Sequence, residues 1–293
     1  DVCSSDLGEY NMLSKYHNDD VMHIKKIYLR VKDIKAMLKY YKEAFGFVLL
    51  KEDFNNYHLG PKDGNVLIIL IDDPSIETHQ TTYGLYHLAL LLPSVKDLAN
   101  FLVHYEKTNY RFVGASDHHV SMALYVEDVE GNGIEVYVDR PSNEWLKKDN
   151  EVHMATLPLN LNKLMGEANI EGYTGLPKET IIGHLHLHVY SLTNSERFFS
   201  ELLGFKKTLR YGKDALFLSD ASYHHHIGIN TWVKVPNPKL PEKNQLLGYT
   251  LYVPEDKFDD FIDRLSGKGV NIMNAEDMYY LYDPNGAFIF IEK

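Results

Sequence analysis

One pattern of strand, helix and three further strands recurs four times along this chain, and that recurrence constrains the fold more than any other feature. The copies open on HIKKIYLRV from His23, YGLYHLALLLP from Tyr83, IIGHLHLHVYSL from Ile181 and LLGYTLYVP from Leu246. Each opening strand leads into a helical stretch: Asp33 to Phe45 before Gly46, Ser94 to about Thr108, Thr193 to Leu203 before Gly204, and Glu255 to Leu265 before Gly267. Polar residues three apart, Ser94 with Asp97 and Thr193 with Glu196, read as helix N-caps. AFGF (Ala44 to Phe47) and LLGF (Leu202 to Phe205) place a glycine just past a helix and an aromatic at the next strand. A unit of this size cannot close a core alone. The expected class is therefore α+β, with four βαβββ modules paired into two curved half-barrels that enclose a cavity.

The repeat sets the boundaries. Residues 1–21 lack period and cap signals and read as a disordered leader; 22–140 hold modules one and two; 181–293 hold modules three and four. Residues 141–180 read as a linker marked by Pro141, Pro158 and Pro177, whose apolar piece MATLPLNL is expected to pack across the surface.

Charge narrows the partners. Against 30 Lys+Arg stand 41 Asp+Glu, a net charge of -11 that argues against nucleic acid and anionic membrane surfaces and leaves a small ligand. The longest apolar run, Val66 to Ile71, falls far short of the roughly 20 residues that cross a bilayer. With no signal-peptide pattern and a single cysteine, Cys3, the expected compartment is the cytoplasm. Metal ligands, if any, must come from histidine, carboxylate or tyrosine.

Residues two apart on a strand share a face. In the third repeat Leu185, Leu187 and Val189 form the apolar face, which turns His184, His186 and His188 toward the cavity. Counting back five from the last apolar residue of each opening strand gives Lys26, His87, His184 and Gly248. The closing strands DVEGNGIEV and DPNGAFIFI align Glu135 of repeat two with Phe290 of repeat four. If repeats two and three pair, His87, His184 and Glu135 converge as two imidazoles and a carboxylate, a facial set that suits Fe(2+); zinc and Mn(2+) accept the same donors. Lys26, Tyr28 and Arg30 share a face of the first repeat, with no ligand set to join.

The stretch SDHHVSMALYVEDVEGNGIE, Ser116 to Glu135, together with GLYHLALLLPS, TIIGHLHLHV and YHHHIGINTW, resembles the vicinal oxygen chelate superfamily, and within it the type I extradiol ring-cleaving dioxygenases. The likeness spans about residues 22–293. It departs from the family pattern at Ser116, where glycine is commoner, at Val129, where proline is expected, and in drawing its metal ligands from modules two and three. The resemblance implies the vicinal oxygen chelate fold, Fe(2+), and a small aromatic diol with O2 as substrates. It also implies roles for three more residues: Tyr125 bonding a substrate oxygen, His118 holding the same oxygen or bound oxygen species, and His225 as acid/base. No organic cofactor is implied, and a homo-oligomer is left open.

Weighed against this are a glyoxalase-like isomerase or thiol transferase on another divalent metal, and a metal-free small-molecule binding protein. Isomerases of the superfamily draw a carboxylate from both paired modules, where repeat three offers histidines. The remaining histidines have plainer readings. His186 and His188 suit hydrogen bonding around the ligands and His224 and His226 suit structural places; His17, His23, His58, His79, His104 and His153 suit the surface.

Overall fold

The computed structural model describes residues 15–79, 82–148, 151–169, 173–234, 245–275 and 278–293. Module one runs β1 (His23–Val31), α1 (Ile34–Phe45), β2 (Val48–Asp53), β3 (Asn56–Gly60) and β4 (Ile68–Asp72). Module two runs β5 (Gly84–Leu91), α2 (Val95–Tyr105), β6 (Phe112–Asp117), β7 (Ser121–Glu127) and β8 (Gly133–Asp139). A connecting segment carries β9 (Lys147–Lys148), β10 (Glu151–Val152), β11 (Leu157–Pro158) and α3 (Leu161–Met165). Module three follows as β12 (Ile181–His188), α4 (Leu192–Arg197) with a π-turn over Phe198–Leu202, β13 (Lys206–Tyr211), β14 (Ala215–Ser219) and β15 (Ile227–Asn230). Module four is β16 (Leu246–Tyr252), α5 (Glu255–Gly267), β17 (Met273–Ala275), β18 (Met278–Tyr282) and β19 (Phe288–Glu292).

Within every module the first and last strands pair in parallel, and the first strands of two modules then pair antiparallel. The β1–β16 pair joins modules one and four in a sheet ordered β17-β18-β19-β16-β1-β4-β3-β2. The β5–β12 pair joins modules two and three in a sheet ordered β11-β6-β7-β8-β5-β12-β15-β14-β13. The mixed α+β class and the curled half-barrel sheets expected from the repeat are what the chain forms.

The caps read from sequence explain where most helices begin. Asp33 accepts from the Ala36 amide at 3.0 Å, and Gly46 closes α1 in the left-handed region at φ 68. Ser94 accepts from the Asp97 amide at 3.2 Å. The third module differs from expectation: its cap is Ser191, whose hydroxyl accepts from the Asn194 amide at 3.3 Å, so the helix starts before Thr193, and Glu196 instead pairs with Arg210 at 2.6 Å. Helices and the apolar sheet faces share one buried core, with Phe45 stacked on Phe101 at 5.4 Å. Burying each such ring contributes about 1.5–3 kcal/mol. No helix among the described residues is long and apolar enough to cross a membrane.

Cys3, with residues 1–14 of the expected leader, lies outside the described residues. Residues 15–21 correct the expectation of a loose segment. Tyr16 is buried and stacks on Trp145 at 5.5 Å, its carbonyl accepts from His226 at 2.9 Å, and His17 donates to the Gly183 carbonyl at 2.9 Å. Apolar contact and one hydrogen bond from each of the His17 and His226 imidazoles hold the segment against the second sheet. His17 is accordingly half-buried and His23 is no surface residue: it is buried and bonds the Val21 carbonyl at 2.7 Å.

Candidate metal centre and its cavity

Three neighbouring strands, β8, β5 and β12, bring the candidate ligands together. Ala89 on the central strand stands opposite Glu135 on one side and His184 on the other, and its small side chain leaves the space above it open. His87, two residues back on the same face, completes the group. His87 Nε2 lies 3.0 Å and His184 Nε2 lies 3.3 Å from Glu135 Oε2, and the two imidazole nitrogens are 3.3 Å apart. All three residues are buried.

This triangle fits a metal ion. Nitrogen and oxygen donors bonded to one ion at about 2.0–2.2 Å and near right angles stand about 3 Å from each other. Burial holds the His184 imidazole neutral by lowering its pKa to about 4, although Glu135 beside it pulls the other way. Burial would raise the Glu135 carboxyl, but the electrostatic interaction and hydrogen bonds with the adjacent His184 and His87 rings outweigh it and hold the group well below the usual range. Neutral imidazole and ionised carboxylate are the ligand forms of these residues.

The same ladder in the other sheet carries Phe290, Thr250 and Lys26, where this one carries Glu135, Ala89 and His184. Lys26 there is bound to Glu292 at 2.6 Å. Module three, opposite His186, has Gly228 in the position of Glu135. The expectation of histidines at that counterpart is thus corrected: the His186 ring fills the space a Gly228 side chain would take.

Beside the triad opens a cavity of about 620 Å³ whose walls include His87, Glu135, His118, Tyr125 and His225, with His184 buried just beneath. The structure therefore brings all six candidates together. His118 Nδ1 donates to the Ala155 carbonyl at 2.6 Å, which leaves Nε2 to accept from the Tyr125 hydroxyl at 2.6 Å. Desolvation first, and then the Glu135 charge, push the Tyr125 phenol well above its ordinary pKa. Ala155 belongs to the segment read as a linker, which also adds β11 to the edge of β6 and so walls the site.

His225 packs on His184 with ring centres 4.1 Å apart. Behind it runs a chain absent from the sequence reading: His225 Nδ1 to His224 Nδ1 at 2.8 Å, His224 Nε2 to Asp139 at 2.7 Å, and Asp139 to the Tyr223 hydroxyl at 2.8 Å. The carboxylate accepts from His224 Nε2, so His224 Nδ1 accepts from His225 Nδ1 and leaves His225 Nε2 without a proton. Glu135, Tyr137 and Asp139 alternate along β8, so the period of two that exposes Glu135 to the site also marks Asp139. His186 and His188 both bond Asn230, at 3.0 and 2.7 Å, rather than a candidate ligand, and His226 bonds the Tyr16 carbonyl at 2.9 Å.

The family model of the glyoxalase/bleomycin resistance protein/dioxygenase superfamily matches residues 22–136. The chain is 36% identical over 284 residues to the catechol-2,3-dioxygenase of Bacillus subtilis (strain 168), covering 94% of this chain and 99% of that one. Among solved structures, glyoxalase I from Zea mays superposes with a TM-score of 0.57 at 16% identity over 92% of each chain. The cppA protein of Streptococcus pneumoniae TIGR4 does so with a TM-score of 0.56 at 11% identity, over 93% of this chain and 99% of that one. These structural likenesses carry the fold.

Proposed function

The chain belongs to the glyoxalase/bleomycin resistance protein/dioxygenase superfamily, and from that premise we propose that it opens catechol rings beside the diol, using Fe(II) and O2. The observation that carries the reading is the buried triangle of His87, His184 and Glu135 facing a cavity large enough for an aromatic diol. When bound, Fe(II) supplies adjacent open positions for the diol and O2 and lowers the pKa of the diol hydroxyls.

The surrounding residues supply orientation and proton handling. Tyr125 gives its proton to His118, so its oxygen presents lone pairs that can accept from a substrate hydroxyl. His225, unprotonated at Nε2, takes a proton from the diol and returns it to the opened product. Both atoms of O2 end in 2-hydroxymuconic semialdehyde when catechol is the substrate, and no external reductant is consumed. A glyoxalase-like isomerase is less well supplied, because the paired modules offer Glu135 on one side and Gly228 on the other.

The test is to load purified protein with Fe(II) anaerobically, then admit air and catechol. A yellow ring-opened product that depends on added iron is expected. Protein that retains Fe(II) at one equivalent yet forms no such product from any catechol contradicts the proposal.

A further inference from the structure

The cavity is larger than the reaction requires. A space of about 150 Å³ holds a benzene ring, and the 620 Å³ here is roughly four times that. The surplus is walled by aromatic and aliphatic side chains together with the His186 and His188 rings, both of which bond Asn230. Tyr86, immediately before His87, tilts against its ring with centres 4.8 Å apart, and Trp232 packs edge-on against Tyr86 at 5.4 Å. Phe217 lies against His225 at 4.6 Å and meets Tyr211 at 6.5 Å. Tyr86, Val113, Tyr211 and Trp232 all line the cavity and yet stand between 38% and 50% exposed. Large apolar side chains left open to water and gathered at one mouth mark a surface awaiting an apolar ligand.

Charge points the same way. Among the described residues lining the cavity there is no lysine or arginine. Its carboxylates are Glu135 in the triad and Glu127, which Arg111 meets from outside at 2.6 Å. A substrate carboxylate taken into such a wall loses water and gains no cation.

We infer that the cavity selects neutral catechols carrying a bulky apolar or aromatic substituent and discriminates against catechols carrying a carboxylate. The inference rests on the dioxygenase reading of the site. The substituent extends from the diol past His87 into the space between Tyr86, Trp232, Tyr211 and Phe217, where ring contacts hold it.

The experiment compares kcat/KM for catechol, 4-phenylcatechol, 3,4-dihydroxybenzoate and its methyl ester on the iron-loaded protein. In parallel, the quench of tryptophan fluorescence reports binding of 4-hydroxybiphenyl and 4-hydroxybenzoate, which lack the diol. The ester should exceed the acid by at least about 100-fold and the phenyl compound should exceed catechol by at least about tenfold. Trp232→Ala should narrow the phenyl-to-catechol ratio by about tenfold. Equal or better use of the acid, or equal binding of the two monophenols, overturns the inference. Cleavage of no catechol at all, with 4-hydroxybiphenyl bound and 4-hydroxybenzoate refused, overturns the dioxygenase reading and leaves the selectivity of the cavity supported.

Discussion

His87 Nε2 and His184 Nε2 lie 3.3 Å apart although their residues do not face each other across the strands. Opposite His87 stands His186, and His184 stands opposite Ala89. The register shift at Gly183 and the diagonal placement turn two imidazoles toward one carboxylate oxygen. Replacing one donor leaves the others buried without a shared ion. Glu135→Gln and His184→Ala should each lower Fe(II) retention, read as iron per chain, by more than the about 10–100-fold that loss of a mere supporting contact costs.

Tyr125 lines the cavity, bonds His118 through its hydroxyl and also lies within hydrogen-bonding reach of Glu135, without being one of the three candidate ligands. Tyr125→Phe should keep iron content unchanged and lower kcat by about 100-fold or more. A parallel loss of iron would place Tyr125 among the ligands instead.

The chain from His225 through His224 to Asp139 makes a separate prediction. Asp139→Asn preserves shape and removes the charge that fixes the proton on His224. Turnover should fall by about 10–100-fold with iron retained, measured as kcat against metal content in one preparation.

Gly183 tests the bulge. A side chain there would collide with the Tyr137 hydroxyl. Gly183→Ala should destabilise the fold by about 1–3 kcal/mol in a denaturant titration. Adding Tyr137→Phe should recover part of that loss, a coupling that two distant sites would not produce.

Acid should unfold the metal-free protein early. Burial lowers His17 to about 3 and His184 to about 4, and it also holds His23, His186, His225 and His226 below 6.5. Because these folded pKa values lie under the unfolded one, the unfolded chain binds more protons; stability is present above 6.5 and is lost as pH falls below it. Each fully titrating histidine adds about 1.4 kcal/mol per pH unit. Asp128 and Asp283, raised by burial to about 6, act oppositely as pH falls from 6 toward 3.8, but the histidines outnumber them. The melting temperature should therefore drop between pH 7 and pH 5.

The module repeat and the three candidate ligand positions were legible because both rest on short-range periodicity. Alternation put His184 on an inward face, alignment of the closing strands set Glu135 against Phe290, and Gly248 with Phe290 marked the other half-barrel as lacking both. What sequence spacing could not carry was contact between distant segments. The Tyr16 ring packs on Trp145 and Tyr223 and His17 bonds Gly183, all more than a hundred residues away, and Ala155 reaches His118 from a stretch with no period of its own. Asp139 lay within reach of the same alternation, but its partner His224 arrives from another module. The helix of module three, α4, is capped by Ser191 because capping depends on which hydroxyl meets an amide, a choice between neighbours that composition does not make.

The central claim is that the triad of His87, His184 and Glu135 holds an iron that joins O2 to a catechol. It is tested most directly by supplying isotopically heavy O2 to the Fe(II)-loaded protein with catechol and weighing the ring-opened product. Heavy oxygen in the new carboxylate, absent from the Glu135→Gln protein, is the predicted result. A ring-opened product without label, or equal labelled product from Glu135→Gln, would contradict the account.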